Sequence, residues 1–419
     1  LPLPPSTPSP RAPRAQVVLD VGNALNAGTA KGNAVGFKLG TLLKLAELKA
    51  KDKKSTLLSY VLQARGPPPA ATPAAAGAAS RGTGRMDRQI EQRQVGQTGL
   101  MIDELGLGGA PLGGNFIDLD YRQAADLIQA AKDAGIGFFD TAPWYGFGRS
   151  ERVMGDLLRH TDYILSDKVG RLLKPGAVAD PGQFGMIDPL PFNVVYDYGY
   201  DGIMRAFEDS LQRLGLDRID ILLAHDIGTF THGDENDRHF RDLAESGYRA
   251  MDELRSGGLV KAIGLGVNEN EVCMDALGVG SWDVFLLAGR YTLLEQTPLA
   301  ALFPACREAG TSIICGGPFN SGVLVGREMW NYATAPAEVV DKVRKLGAVA
   351  DDHGVSLPAA ALQFPLANDI ITSVIPGPRD AGELAQILDW FTQPVPGGFW
   401  SDLKSAGLLE ADAPLPEAA

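Results

Sequence analysis

The stretch "YDGIMRAFEDSLQRLGLDRIDILLAHD", residues 200–226, reads as a helix of sixteen residues running straight into an apolar strand. The first part has helical spacing; the second, "RIDILLAHD", is apolar on both faces until it ends on His225 and Asp226. A strand buried on both faces belongs to a parallel sheet covered by helices. The same unit recurs along the chain. Strand-like runs occur in "ELGLGGAPLGG" (104–114), "IGFFDTA" (136–142), "TDYILSDKVG" (161–170), "VKAIGLGVN" (260–268), "WDVFLLAG" (282–289), "TSIICGGP" (311–318) and "ITSVIPG" (371–377), with helical segments between them. "DYRQAADLIQAAKDAG" is one such helix, with Asp120 as its N-cap and Gly135 just past its end. Eight strand–helix units predict a (β/α)8 TIM barrel. The rival, a doubly wound open sheet, is disfavoured because "GLGGAPLGG" has its glycines out of register for a dinucleotide fingerprint.

The barrel pattern occupies residues 86–419. Residues 1–85 are different in kind: "LPLPPSTPSPRAPRA" is proline-rich, the stretch around 33–64 has amphipathic helical spacing, and "GPPPAATPAAAGAASRGTG" is a low-complexity linker. They carry twelve Lys/Arg against three Asp/Glu, a net of +9, whereas the rest of the chain carries −22. A sign change of that size marks a boundary. The expected organisation is a disordered, partly helical extension over 1–85 and one domain from Met86.

Composition removes several function classes. An overall charge of −13 argues against nucleic acid as the partner, since a duplex requires a basic face. The longest charge-free run, "AGTSIICGGPFNSGVLVG", is broken by Gly, Pro, Asn and Ser, so no membrane span is expected. Cys273, Cys306 and Cys315 are odd in number and widely spaced, which suggests neither a disulfide framework nor zinc and fits a reducing compartment such as the cytoplasm. "THGDENDRH" offers His232 and His239 beside three acids, but no strand or helix spacing supports a metal site, and none is expected.

Barrel enzymes carry their chemistry at the carboxyl ends of strands. Those ends hold Asp140, Lys168 and His225, with Tyr145 one short loop beyond Asp140. A phenol has a free pKa near ~10, and an ammonium beside it favours the phenolate. An aspartate beside the lysine keeps that ammonium charged and oriented. Such a tyrosine can pass a proton to or from a carbonyl or alcohol oxygen, with the imidazole directing the substrate. Proton transfer at oxygen without a nucleophile or metal implies that a hydride moves at carbon, to or from a nicotinamide. "SVIPGPRDAGELAQIL" offers a phosphate site through Arg379 and the helix N-terminus behind it. Phe319, Asn320 and Ser321 in "GGPFNSGVL" are placed to stack on or bond to the same cofactor. Trp144 and parts of the 56 residues between Lys168 and His225 are candidate walls of a substrate pocket.

"FFDTAPWYG", "SDKVG", "LLAHD" and "VIPGPRDAGELAQIL" together resemble the aldo-keto reductase family from about Gln94 to about Leu388. The resemblance implies a (β/α)8 barrel with Tyr145 as general acid/base, tuned by Lys168 and Asp140, and His225 orienting the substrate. It implies NAD or NADP bound without a Rossmann domain, by Asn268, Pro318, Phe319, Asn320, Ser321, Gly322, Leu324, Gly377, Arg379 and Glu383. Arg379 is compatible with a 2′-phosphate, with the pyrophosphate or with adenine. "PFNVVYDYGYDGIMRAFEDSLQRLGLDRIDILLAHDIG", "IGLGVNE" and "GGPFNSGVL" are similar to the branch that oxidises cyclic hemiacetals to lactones: D-threo-aldose (L-fucose) 1-dehydrogenases, pyridoxal 4-dehydrogenases and plant L-galactose dehydrogenase. The expected ligand is thus a small sugar or a pyridoxal-like molecule, and the expected assembly a monomer or homodimer. Residues 21–64 resemble a slice of the formin homology actin-binding domain. So short a piece rarely holds a core of its own, and actin assembly is not expected from it.

Overall fold

The computed structural model describes residues 89–178, 182 and 185–417; the expectations for residues 1–85 lie outside these. The chain begins with a hairpin, β1 (Gln92–Gln94) and β2 (Met101–Asp103), and then enters the barrel. The strands that follow are β3 (Leu107–Gly108), β4 (Phe138–Asp140), β5 (Ile164–Val169), the antiparallel pair β6 (Arg171–Pro175) and β7 (Phe192–Tyr196), β8 (Ile221–His225), β9 (Ala262–Val267), β10 (Val284–Ala288), β11 (Ser312–Gly316), the short hairpin β12 (Met329–Trp330) and β13 (Ala333–Thr334), and β14 (Ile371–Ile375). In space the parallel sheet runs β3–β4–β5–β8–β9–β10–β11–β14, in sequence order throughout, as a singly wound barrel requires. The last strand returns to the first: Gly106 N–H donates to the Val374 carbonyl at 3.0 Å, Val374 N–H to Glu104 at 2.9 Å and Gly108 N–H to Pro376 at 2.9 Å. The sheet therefore closes, and the expected (β/α)8 barrel is what the chain forms.

The barrel helices are α1 (Tyr121–Asp133), α2 (Arg149–Leu158), α3 (Tyr200–Leu214), α4 (Tyr248–Ser256), α5 (Asn270–Leu277), α6 (Leu302–Ala309), α7 (Leu357–Gln363) and α8 (Ala381–Thr392). Asp120 caps α1 in a reciprocal box with Gln123, and Gly135 follows at φ 86°. Further helices occupy Asn236–Asp242, Ala337–Asp352 and Gly397–Ser405. Among the described residues no helix is long and apolar enough to cross a membrane.

The two-residue pleat of the strands explains where the site forms. Phe138, Ile221, Leu223, Ala262, Val284, Leu286, Ile314 and Ile375 pack together inside the barrel. Phe139, Leu165, Leu222, Ile263 and Phe285 alternate with them and meet the helices. Val95, Leu100 and Ile102 of the first hairpin join the inner cluster. Continuing the inward parity toward the carboxyl ends gives Asp140 after Phe138, Lys168 after Ile164 and Ser166, and His225 after Leu223. The three polar groups are the top layer of the same stack whose lower layers are apolar.

Candidate active site

The register aligns that layer. Asp140 pairs with Ser166 across β4 and β5, Lys168 with Leu223 across β5 and β8, and His225 with Gly266 across β8 and β9. Gly266 lets the lysine pass closely: a Cβ on it would lie 3.2 Å from Lys168 Cε, a tight contact. Lys168 Nζ donates to Asp140 Oδ1 at 2.9 Å, Asp140 Oδ2 at 2.7 Å and the Thr141 carbonyl at 2.8 Å. Ser166 Oγ donates to Asp140 Oδ1 at 2.7 Å. Lys168 is 1% and Asp140 2% exposed, so the pair sits in a low dielectric. Tyr145 reaches over it from the loop after β4, its ring centroid 4.8 Å from Lys168 Nζ and 6.1 Å, edge to face, from the His225 ring. Gly113 packs directly on the Tyr145 peptide and holds that loop in place.

Electrostatics set the protonation states. Burial is the largest influence on the Tyr145 phenol and pushes it up to about 12; Lys168 pulls it back and Asp140 adds to the rise. The lysine's downward pull, expected from the sequence, is present but smaller than desolvation. Burial also opposes the Lys168 charge, yet Asp140, with Tyr145 adding, lifts the ammonium above the ordinary lysine range. His225 is held well below the usual imidazole range by burial, then by Arg171 and Lys168. The site at neutral pH is a protonated phenol, an ammonium–carboxylate pair and a neutral imidazole.

One cavity of about 790 Å³ opens on these groups. Tyr145, Lys168 and His225 line it beside Trp144; so do Asn268, Pro318, Phe319, Ser321, Gly322, Gly377, Arg379 and Glu383. Asn320 and Leu324, expected among the cofactor contacts, do not line it. Asn320 turns inward at φ 48°, donating to the Gly289 carbonyl and Glu295 and accepting from Thr292, while Leu324 is packed in the core. The N-terminus of α8 is capped by its own Asp380, which accepts from Glu383 N–H at 2.8 Å, so this end of the helix is less open to a phosphate than expected. Arg379 does face the cavity, held by Glu383 through Nε at 2.5 Å, and Arg327 reaches the same carboxylate at 3.2 Å. Two guanidiniums thus converge on one carboxylate at this end of the cavity, with the Asp380 carboxylate beside Arg379. Phe319 and Trp390 meet edge-on with centroids 5.8 Å apart and wall the same region. Two arginine forks at one end, aromatic walls, glycine backbone at Gly317, Gly322 and Gly377, and sufficient volume fit a nicotinamide dinucleotide.

The expectation that parts of the segment between Lys168 and His225 wall the pocket holds through Arg171 and Tyr196, which sequence reasoning did not name individually; Asp226, which also lines the cavity, was missed. The long excursion after Lys168 folds back as β6 and β7 and brings Arg171 and Tyr196 to its wall. His232 and His239 pack their rings on Tyr196 and Tyr198, and among the described residues no group of three or more His, Cys, Asp or Glu is arranged to hold a metal. The three cysteines are buried and unpaired.

The Aldo/keto reductase family model matches residues 104–407, and the chain belongs to that family. It is 42% identical to pyridoxal 4-dehydrogenase of Microbacterium luteolum over 76% of this chain and 98% of that one. It is 36% identical to D-threo-aldose 1-dehydrogenase of a Pseudomonas species over 74% and 96% respectively. An aldo-keto reductase from Bacillus halodurans has the same fold, with a TM-score of 0.61 at 24% identity over 78% of this chain and 99% of that one. The Formin Homology 2 Domain model matches residues 16–66, outside the described residues. The chain is an oxidoreductase of the aldo-keto reductase type.

Proposed function

We propose that the protein is an NAD- or NADP-dependent dehydrogenase that oxidises the anomeric carbon of an aldose, of the L-fucose, D-arabinose or L-galactose type, to a lactone. The observation that carries this reading is the buried Asp140–Lys168 pair beneath Tyr145, facing a neutral His225 across one cavity. A bound oxidised nicotinamide supplies the acceptor for the hydride leaving the substrate carbon. The chain supplies the rest. Tyr145 Oη takes the proton of the anomeric hydroxyl, and the Lys168 ammonium lowers the cost of the phenolate that must receive it. Asp140 keeps that ammonium charged and aimed. His225, which lines the cavity and is held neutral by burial, binds the reacting oxygen without competing for its proton.

A second reading, oxidation of pyridoxal in its ring-closed hemiacetal form, is favoured by the 42% identical relative and uses the same proton transfer. Residues 86–419 carry the activity in either case. The test is to assay the full chain and residues 86–419 in parallel with NAD and NADP against L-fucose, L-galactose, D-arabinose and pyridoxal. Equal rates from the two proteins on at least one substrate are expected. Cofactor binding without oxidation of any of them would overturn the reading.

A further inference from the structure

The hairpin β12–β13 carries a residue that its own geometry disfavours. Asn331 and Tyr332 join the two strands at φ 47° and 63°, the left-handed pattern of a type I′ turn. Asparagine suits the first position, but the second favours glycine, and a bulky side chain there is strained. Neighbouring groups hold the turn in that shape: Arg290 Nη2 donates to Asn331 Oδ1, Trp330 Nε1 to Glu295 at 2.7 Å, and Tyr332 N–H to Ser321 Oγ at 3.1 Å. Trp330 packs against the core, whereas Tyr332 is 53% exposed. Core packing therefore does not account for the tyrosine. Strain kept where packing does not demand it points to a functional side chain.

That side chain lines the cavity, and its Oη donates to Asn268 Oδ1, just beyond β9, at 3.1 Å. Burial of the phenol, with Asp226 and Tyr145 adding, raises it above the ordinary tyrosine range, so the hydroxyl remains a donor. Asn268 Nδ2 donates in turn to Asp226 Oδ1 at 3.1 Å, and Asp226 Oδ2 accepts from Arg171. The Asn268 amide is thus held at both ends by unlike partners: its nitrogen meets a carboxylate and its oxygen meets a phenol. Its plane is fixed, and one N–H and one lone pair are left for a ligand in the cavity. We propose that Tyr332 is a positioning residue for the nicotinamide dinucleotide, acting through the Asn268 amide, whose orientation its hydroxyl sets. The turn keeps a tyrosine because that hydroxyl reaches Asn268, which a glycine would leave without its donor. This inference rests on the dehydrogenase reading above.

Tyr332→Phe deletes only the hydroxyl, and Asn268→Ala deletes the group through which it acts; Asn268→Ser serves if the alanine variant does not fold. NADH and NADPH are titrated into the whole chain as wild type, each single variant and the double variant, with binding followed by protein fluorescence. Tyr332→Phe should weaken the preferred dinucleotide ~3–10-fold, the worth of about one hydrogen bond. In the Asn268→Ala background the same change should shift affinity by less than about two-fold. Tyr332→Gly, which suits the turn, should bind at least as weakly as Tyr332→Phe, yet unfold at or above the wild-type Tm. A merely structural tyrosine would do the reverse, lowering Tm and leaving affinity intact. Wild-type affinity in Tyr332→Phe, or an equal loss with and without Asn268, overturns the assignment while the dehydrogenase reading stands. If the wild-type protein binds neither dinucleotide, that reading fails and this inference with it.

Discussion

Replacing Lys168 by Met tests what the Asp140–Lys168 pair does. The ammonium makes three contacts of 2.7 to 2.9 Å, two of them to one carboxylate, and both side chains are almost fully buried. At such a separation and an effective dielectric of about 20, the attraction is ~6 kcal/mol, largely offset by desolvation of both ions. Taking away one ion removes the attraction and leaves Asp140 buried with only the Ser166 hydroxyl and its surroundings to solvate it. Breaking such a pair costs ~3–5 kcal/mol. At roughly 2 °C per kcal/mol for a domain of this size, Tm should fall by about 6–10 °C. Asp140→Asn in the same protein removes the stranded charge, so the double variant should recover most of that loss. Activity should not return, because the phenol above has lost the charge that opposes its burial. Thermal unfolding followed by circular dichroism, with parallel turnover assays, reads both quantities. A single variant with wild-type Tm, or a double variant no more stable than the single one, would refute the reasoning.

Two further outcomes follow from the same geometry. Because burial holds the Tyr145 phenol at about 12, its reactive base form grows as pH rises, so kcat/KM for oxidation should climb from about pH 6 to about pH 9, while the reductive direction, which uses the acid form, should stay flat; oxidation that slows as pH rises over this range would contradict the assignment. Gly113→Ala would place a Cβ 2.4 Å from the Tyr145 carbonyl carbon and 2.5 Å from its oxygen, both backbone atoms. The loop must then shift, and kcat should fall ~100-fold with only a modest change in Tm; a wild-type kcat would show that the loop's position is not critical.

The barrel is legible in the sequence because its strands are buried on both faces: "VFLLA" and "ILLAH" have no solvent side to dilute the apolar run. The tetrad is legible for a related reason, since a charged or polar residue closing such a run marks the strand's carboxyl end. The β6–β7 hairpin is not. Gly170, at φ 94°, turns the chain within one residue of β5, and "RLLKP" then reads as an ordinary half-exposed segment. Arg171 looks like a surface charge there, because its partner Asp226 is 55 residues away. Arg379 shows the opposite case: its local setting suggested a 2′-phosphate, the pyrophosphate or adenine, and its side chain is engaged by Glu383, four residues on. Asn320 lies off the cavity wall through backbone shape, since its left-handed conformation aims the amide inward, a feature that residue type alone does not specify.

The central claim is that the Tyr145 hydroxyl carries the proton of the reaction. Tyr145→Phe deletes that one atom at the cavity wall. Dinucleotide titration and turnover of the best substrate from the panel, measured on the same preparation, test it directly. The account predicts unchanged dinucleotide affinity with turnover reduced by at least ~100-fold. Turnover within a few-fold of the wild-type enzyme, with affinity intact, would contradict it.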